Sequence, residues 1–183
     1  MSDAEAWADV RRRNAGWLTP WEATVPPGDK TVARTFRGLV RDLNRQARER
    51  RALPFAVTVD DEFAGQLTVT NITGGSARWG QIGYWIDQRF AGHGAMPTAV
   101  ALVTDYCLFE LGLHRIEVAI RPENTASLRV VEKLGFTEVG YAKGYLHIDG
   151  AWRDHRLFAL TREECEGGVL RRYRQGGTAA ENL

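Results

Sequence analysis

Read for polarity alone, the chain changes its hydrophobic period several times. From Asp3 to Arg13, Ala6, Trp7 and Val10 share one face of a helix that Ser2 or Asp3 can cap. Asn14 to Glu22 holds two tryptophans beside Gly16 and Pro20 and is expected as a loop. Lys30 to Arg50 repeats apolar residues at Val32, Phe36, Leu39, Val40, Leu43 and Ala47, a second helix. Its other face carries Arg34, Arg37, Arg41, Arg45 and Arg48, a solvated surface or a nucleic-acid or ribosome contact. The period then drops to two. Phe55, Val57 and Val59 alternate, Asp60-Asp61-Glu62 turns, and Phe63, Gly65, Leu67 and Val69 alternate back, which predicts a hairpin. A third strand is expected over Trp79–Ile86 after a turn at Gly74-Gly75, with Gly83 marking a bulge, a close backbone approach or a packing position.

Beyond it the pattern predicts a helix from Met96 to Leu111, a short strand from Arg115 to Ile120, and a helix capped by Asn124 and stopped at Gly135. Two last strands follow, Thr137–Ile148 and Arg153–Leu160, joined at Asp149-Gly150. Helices, three antiparallel strands, helix, strand, helix and two strands make a mixed α/β (α+β) domain. Residues 1–165 are expected as a single domain. Residues 166–183, rich in Gly, Arg and small side chains, are expected as a flexible C-terminal tail.

Composition narrows the function classes. The chain has 183 residues, 44% of them hydrophobic, enough for a core without staples. Lys+Arg 24 against Asp+Glu 23 gives +1, so binding a polyanion by bulk charge is not expected. No run of about 18 apolar residues occurs, and the start has no basic and apolar leader, so neither a membrane span nor a signal peptide is read. Cys107 and Cys165 are distant in sequence, and with four scattered histidines they form no metal-ligand spacing. A cytoplasmic, metal-free protein is expected. Gly 19 and Trp 6 are the unusual entries in the composition.

The sharpest chemical signal is Arg89-Phe90-Ala91-Gly92-His93-Gly94, followed by Ala95, between a strand and a helix. Small residues let main-chain N–H groups converge, and the first turn of the next helix adds its own free N–H groups. Pro97 suits that turn. Arg89 and His93 add positive charge, so a phosphate or pyrophosphate is the expected ligand, with a purely structural turn as the alternative. A Walker loop fails because Gly94 is followed by Ala95-Met96, and a Rossmann fingerprint fits poorly because antiparallel strands come first.

With Arg121-Pro-Glu-Asn124-Thr-Ala-Ser127 and Lys133-Leu-Gly135-Phe136 downstream, the order of motifs resembles the GNAT N-acetyltransferases over roughly residues 3–162. Together with Trp152-Arg-Asp-His155 it is most similar to the ribosomal-protein-alanine N-acetyltransferase (RimJ/RimL-type) branch. The resemblance implies a mixed, mostly antiparallel central sheet with a splayed strand pair and flanking helices. It implies acetyl-CoA as co-substrate and direct transfer to an amine. The acceptor is then the α-amine of a protein, such as a ribosomal protein, or a small amine such as an aminoglycoside or polyamine. A non-catalytic acyl-CoA-binding module is the rival from another class. A monomer or a homodimer is expected, with no membrane or DNA partner.

Carried over residue by residue, the resemblance gives the loop Arg89 to Ala95 to the phosphates. Main-chain groups of Tyr84, Trp85 and Ile86 go to the pantetheine arm and the thioester carbonyl. Asn124 serves as cap and pantetheine partner. Many relatives place an acid tyrosine where this chain has Val131, so Ser127 takes that role, by hydrogen bond or through water. A glutamate that some relatives use as base falls on Leu146, which leaves Glu117, Glu22 and His147. Trp17, Trp21, Glu22 and Tyr145 are expected at the acceptor. The family usually opens with a strand before its first helix, whereas this chain begins at the helix. Either the true start lies upstream or the sheet has lost an edge strand.

Overall fold

The computed structural model describes residues 3–28 and 35–180. Ser2 and the side chain of Asp3, the two caps expected for the first helix, the start of the helix expected from Lys30, and the last residues of the expected tail fall outside that description. Helices α1 (Asp3–Arg13), α2 (Ala15–Leu18) and α3 (Phe36–Arg48) precede strands β1 (Leu53–Val59), β2 (Glu62–Thr73) and β3 (Trp79–Ile86). Then come α4 (Ala95–Asp105), β4 (Arg115–Ile120), α5 (Thr125–Lys133), β5 (Thr137–Ile148), β6 (Ala151–Thr161) and α6 (Val169–Ala180). The expected loop 14–22 is therefore partly helical, with α2 running into a 3-10 turn over Thr19–Trp21 that Pro20 enters in its first turn.

One six-stranded sheet runs in the order β1-β2-β3-β4-β6-β5. All neighbours are antiparallel except β3 and β4. That parallel pair joins only Trp79–Gln81 to Arg115–Glu117, while β3 stays paired to β2 as far as Ile86 and β4 to β6 as far as Ile120. The two strands part after Gln81 and Glu117, which is the expected splay. Gly83 sits in regular register opposite Thr68, so of the readings open for it the bulge does not form; β2 and β3 shift register between Thr70 and Thr73 instead. Helices α4, α5 and α6 cover one face, where Leu67, Ile82, Ile116 and Leu160 meet Val100, Cys107, Val131 and Val169 at 2% exposure or less. Full burial of side chains this size contributes roughly 1.5–3 kcal/mol each. Helices α1 and α3 pack on the other side of β1 and β2, with Trp7 and Phe36 in ring contact at 5.4 Å. The arginine face of α3 is exposed at Arg37, Arg41 and Arg48, while Arg45 pairs with Asp42 and Glu49.

The tail expected over 166–183 is instead a helix from Val169, with Val169 itself fully buried. Its free N-terminal N–H groups find a cap far away in sequence. The Val169 and Leu170 amides donate to the Asp105 carboxylate at 2.7 and 3.1 Å. Arg172 closes the opposite side by donating to the carbonyls of Leu134 and Glu164. Helix α4 is also shorter than expected. Tyr106–Glu110 winds as a π-turn, with the Leu111 amide donating to Tyr106 O at 3.0 Å.

Candidate active site

The diverging strands open onto a cleft of about 890 Å³. Its floor is Tyr84, Trp85 and Ile86 of β3, whose edge towards β4 has no strand partner beyond Gln81. One end is Phe90, Ala91, Gly92 and Gly94, and one wall is α5 with Asn124 and Ser127. The opposite wall holds Trp7, Arg11, Trp17, Trp21 and Glu22. A second groove of about 860 Å³, between β1 and α4, contains none of the splayed residues.

Local backbone chemistry builds the glycine end. Gly92 and Gly94 both have φ +84°, a conformation that costs an L side chain about 1–2 kcal/mol, and Gly94 is the cap residue of α4. The start of the loop is held by side chains. Asp87 is 1% exposed and accepts from Arg13 at 2.7 and 3.1 Å and from the main chain and Nε of Arg89 at 3.1 and 3.0 Å. Burial alone would push the Asp87 carboxyl up, but these arginine hydrogen bonds outweigh it and hold it well below the usual carboxylate range. Asn14 accepts from the Gln88 amide at 2.9 Å, and the Trp17 indole donates to Ile86 O at 3.0 Å.

This geometry corrects two expectations for the loop. The Arg89 guanidinium is taken by Asp87 and Glu62, so it supplies no free charge to a phosphate. His93 and Ala95 line the second groove, not the cleft. Other expectations converge. Asn124 caps α5, accepting from the Ser127 amide at 3.0 Å. Ser127 lines the cleft, and its hydroxyl makes no hydrogen bond among the described residues. The Tyr84 phenol donates to Ser127 O at 3.3 Å, and burial raises its pKa.

Of the three carboxylate and imidazole candidates for a base, the structure brings one to the cleft. Glu22 lines it and pairs with Arg11. Glu117 lies on the other side of β4 from the buried Ile116 and Val118, paired with Arg115 at 2.6 Å and outside the cleft lining. His147, 9% exposed, has Nδ1 2.8 Å from Thr24 Oγ and its ring edge-on to Trp152. Tyr145 is likewise away from the cleft lining, with its ring 5.6 Å from His155. What sequence reasoning missed is Arg11, whose guanidinium lies over the rings of Trp7 and Trp85 at 5.6 and 5.3 Å. Also missed was the seam that fixes Glu22. Thr24 donates to His147 O and Asp149 to Glu22 O, and Ala23 bridges to Ile148. Among the described residues no group of His, Cys, Asp or Glu is placed to hold a metal, and no helix is long and apolar enough to cross a membrane.

Known proteins share this arrangement. The solved structure of Mycobacterium smegmatis RimJ in complex with CoA-disulfide is 40% identical, with a TM-score of 0.89 over 96% of this chain and 85% of that one. The [ribosomal protein uS5]-alanine N-acetyltransferase of Escherichia coli is 33% identical over 177 residues, 92% of this chain and 88% of that protein. The probable N-acetyltransferase YjcK of Bacillus subtilis is 40% identical over 107 residues, 58% of this chain, and the match spans 59% of that protein's length. The family model described as the acetyltransferase (GNAT) domain matches residues 1–137. With the splayed strands, the glycine loop and the Asn124-capped helix in one cleft, the chain belongs to the GNAT family of N-acetyltransferases.

Proposed function

We propose that the acceptor is the α-amine of a protein N-terminus, a ribosomal protein as the name of the Escherichia coli relative states for that enzyme, and that acetyl-CoA is the donor. The observation that carries this is one cleft holding both halves: the amide-rich Gly92–Gly94 end with the unpaired β3 edge, and the wall of Trp17, Trp21 and Glu22 facing it. The residues fit the donor. Loop and first-turn N–H groups suit a pyrophosphate, and the free edge of β3 suits the amides of a pantetheine arm. At the acceptor end the Trp7 indole N–H is buried without a partner among the described residues, a donor for a peptide carbonyl.

The chemistry asked of the side chains is modest. The amine nitrogen forms the new C–N bond as the C–S bond breaks, the amine gives up a proton, and the thiolate gains one. At pH 7 about one α-amine in ten is neutral, against about one lysine amine in a few thousand. Glu22, held by Arg11, is a weak base that serves an α-amine, directly or through water, far better than a lysine. Ser127 supplies a hydrogen bond to the leaving sulfur. Neither cysteine can act as a covalent relay, since both are buried, with thiols pushed up to about 12 and about 11 mainly by that burial. A thiol-release assay with acetyl-CoA tests the reading. Turnover is expected with free N-terminal peptides and not with the same peptides blocked at the N-terminus. Turnover of aminoglycosides or polyamines alone would overturn the acceptor, and tight acetyl-CoA binding without release to any amine would overturn the reaction.

A further inference from the structure

A strongly cationic stretch of the chain takes no part in the chemistry of the cleft. Residues 35–51 hold six arginines against Asp42 and Glu49, while the whole chain carries +1, so the remainder is net negative. The positive charge is thus segregated onto α3 and the turn after it. Within α3 the arginines divide. Arg45 is taken by Asp42 and Glu49. Arg37, Arg41 and Arg48 are exposed, and none makes a hydrogen bond or ion pair among the described residues. At about 100° per residue these three fall within about 40° of one another, a stripe roughly 17 Å long. Asn44, also exposed, shares the stripe, so no acid interrupts it. Leu39 lines the cleft from a position about 180° round the helix, and Phe36 packs on Trp7. One side of α3 therefore backs the wall proposed for the acceptor. The other turns unpaired guanidinium groups to solvent about one helix diameter, roughly 10 Å, away.

We propose that this stripe is a docking surface for the phosphate backbone of RNA, which holds the enzyme beside an acceptor N-terminus carried on an RNA–protein particle. The choice of RNA rests on the ribosomal-protein acceptor proposed above; the affinity of the stripe for phosphate does not. Guanidinium groups without internal partners break no ion pair on meeting a phosphate, and each fork can take two of its oxygens. Helix α3 uses arginine throughout and no lysine. A straight row of fixed cations suits a regular row of anions better than it suits scattered carboxylates. Three such contacts release about three counterions, which makes a weak, salt-sensitive tether. A tether raises the concentration of the N-terminus at the cleft without adding a contact inside it.

The test is binding of a labelled RNA duplex of about 20 base pairs, by fluorescence anisotropy, to three proteins. These are the wild type, R37Q/R41Q/R48Q, and R78Q/R162Q/R171Q, which removes the same charge at exposed arginines elsewhere. The wild type is expected to lose affinity with salt at a log–log slope of about −2 to −3. R37Q/R41Q/R48Q is expected to bind at least about tenfold more weakly at low salt with that slope largely gone, and the control triple within about twofold of the wild type. Equal losses in both triples would overturn the proposal by reducing it to net charge. A wild type that binds no RNA, or a stripe triple that binds as well, would make the stripe an ordinary solvated face. Tighter binding of polyglutamate than of RNA would overturn the choice of partner. In the thiol-release assay R37Q/R41Q/R48Q is expected to match the wild type on a free N-terminal peptide and to lose about tenfold in kcat/KM on ribosomal particles. Equal kcat/KM on the particles would overturn the docking role. A wild type that binds RNA through the stripe but acetylates no peptide would instead sink the acceptor reading.

Discussion

Replacing Asp87 with asparagine separates scaffold from site most cleanly. The substitution keeps the shape and removes the charge on which Arg13 and Arg89 converge. Breaking a buried pair by removing one partner costs about 3–5 kcal/mol when the other charge is left dry. Here the partners are 35% and 50% exposed and recover water, so the loss falls towards that of one or two charged hydrogen bonds, about 2–3 kcal/mol. For a chain of this length that is a fall in Tm of about 5–10 °C. The same carboxylate starts the loop that ends in Gly92 and Gly94, so the Kd for CoA is expected to rise roughly tenfold, with kcat changed much less. The pH dependence follows from the sign of the shift. The folded carboxyl is depressed, so its stabilisation is complete above the unfolded value of about 3.9 and fades as pH falls through the folded one. The stability gap between wild type and D87N should be constant from pH 5 to 8 and narrow below about pH 4. Thermal unfolding and CoA titration decide it: a lowered Tm with an unchanged CoA Kd would refute the positioning role.

Three further outcomes are expected. Gly94→Ala forces a side chain to φ +84°, although its Cβ meets only the Tyr173 hydroxyl at an ordinary 3.4 Å, so a loss of about 1–2 kcal/mol and weaker CoA binding should follow without gross misfolding. Ending the chain after Glu166 strips the buried Val169 and the Arg172 bonds to Leu134 and Glu164, and should lower the urea midpoint by the equivalent of about 3 kcal/mol or more; an unchanged midpoint would mean α6 is a passenger. At pH 8 an aromatic disulfide reagent should label neither Cys107 nor Cys165 in the native protein and both after denaturation, because burial holds each thiol protonated; rapid native labelling would contradict their placement.

What could be read from the sequence is what neighbouring residues decide among themselves. The β1–β2 hairpin follows from alternation, the glycine loop from Gly92 and Gly94, and the α5 cap from Asn124 and the amide three residues on. The misplaced parts depend on partners far along the chain. Helix α6 looked like a tail because its cap, Asp105, is 64 residues before Val169. Glu117 and Tyr145 were of the right chemical type, but strand alternation and the β5 register shift turn them away from the cleft. Arg89 is the instructive miss. Asp87, two residues earlier, was a readable signal that its charge was already taken, but not that Asp87 would be buried. The tryptophan excess resolves in space: Trp7, Trp17, Trp21 and Trp85 come from three separate stretches to wall one cleft.

The two halves of that cleft share a mechanical element. Helix α1 sends Arg13 to Asp87 at the glycine-loop end and Arg11 to Glu22 at the opposite wall, the end proposed for the acceptor. Residues two apart on a helix point about 200° from each other, and through these two side chains one short helix is tied to both carboxylates. Asn14 and Trp17, just beyond its end, hold Gln88 and Ile86 as well. A loss at Asp87 should therefore reach the acceptor, raising the peptide KM along with the CoA Kd.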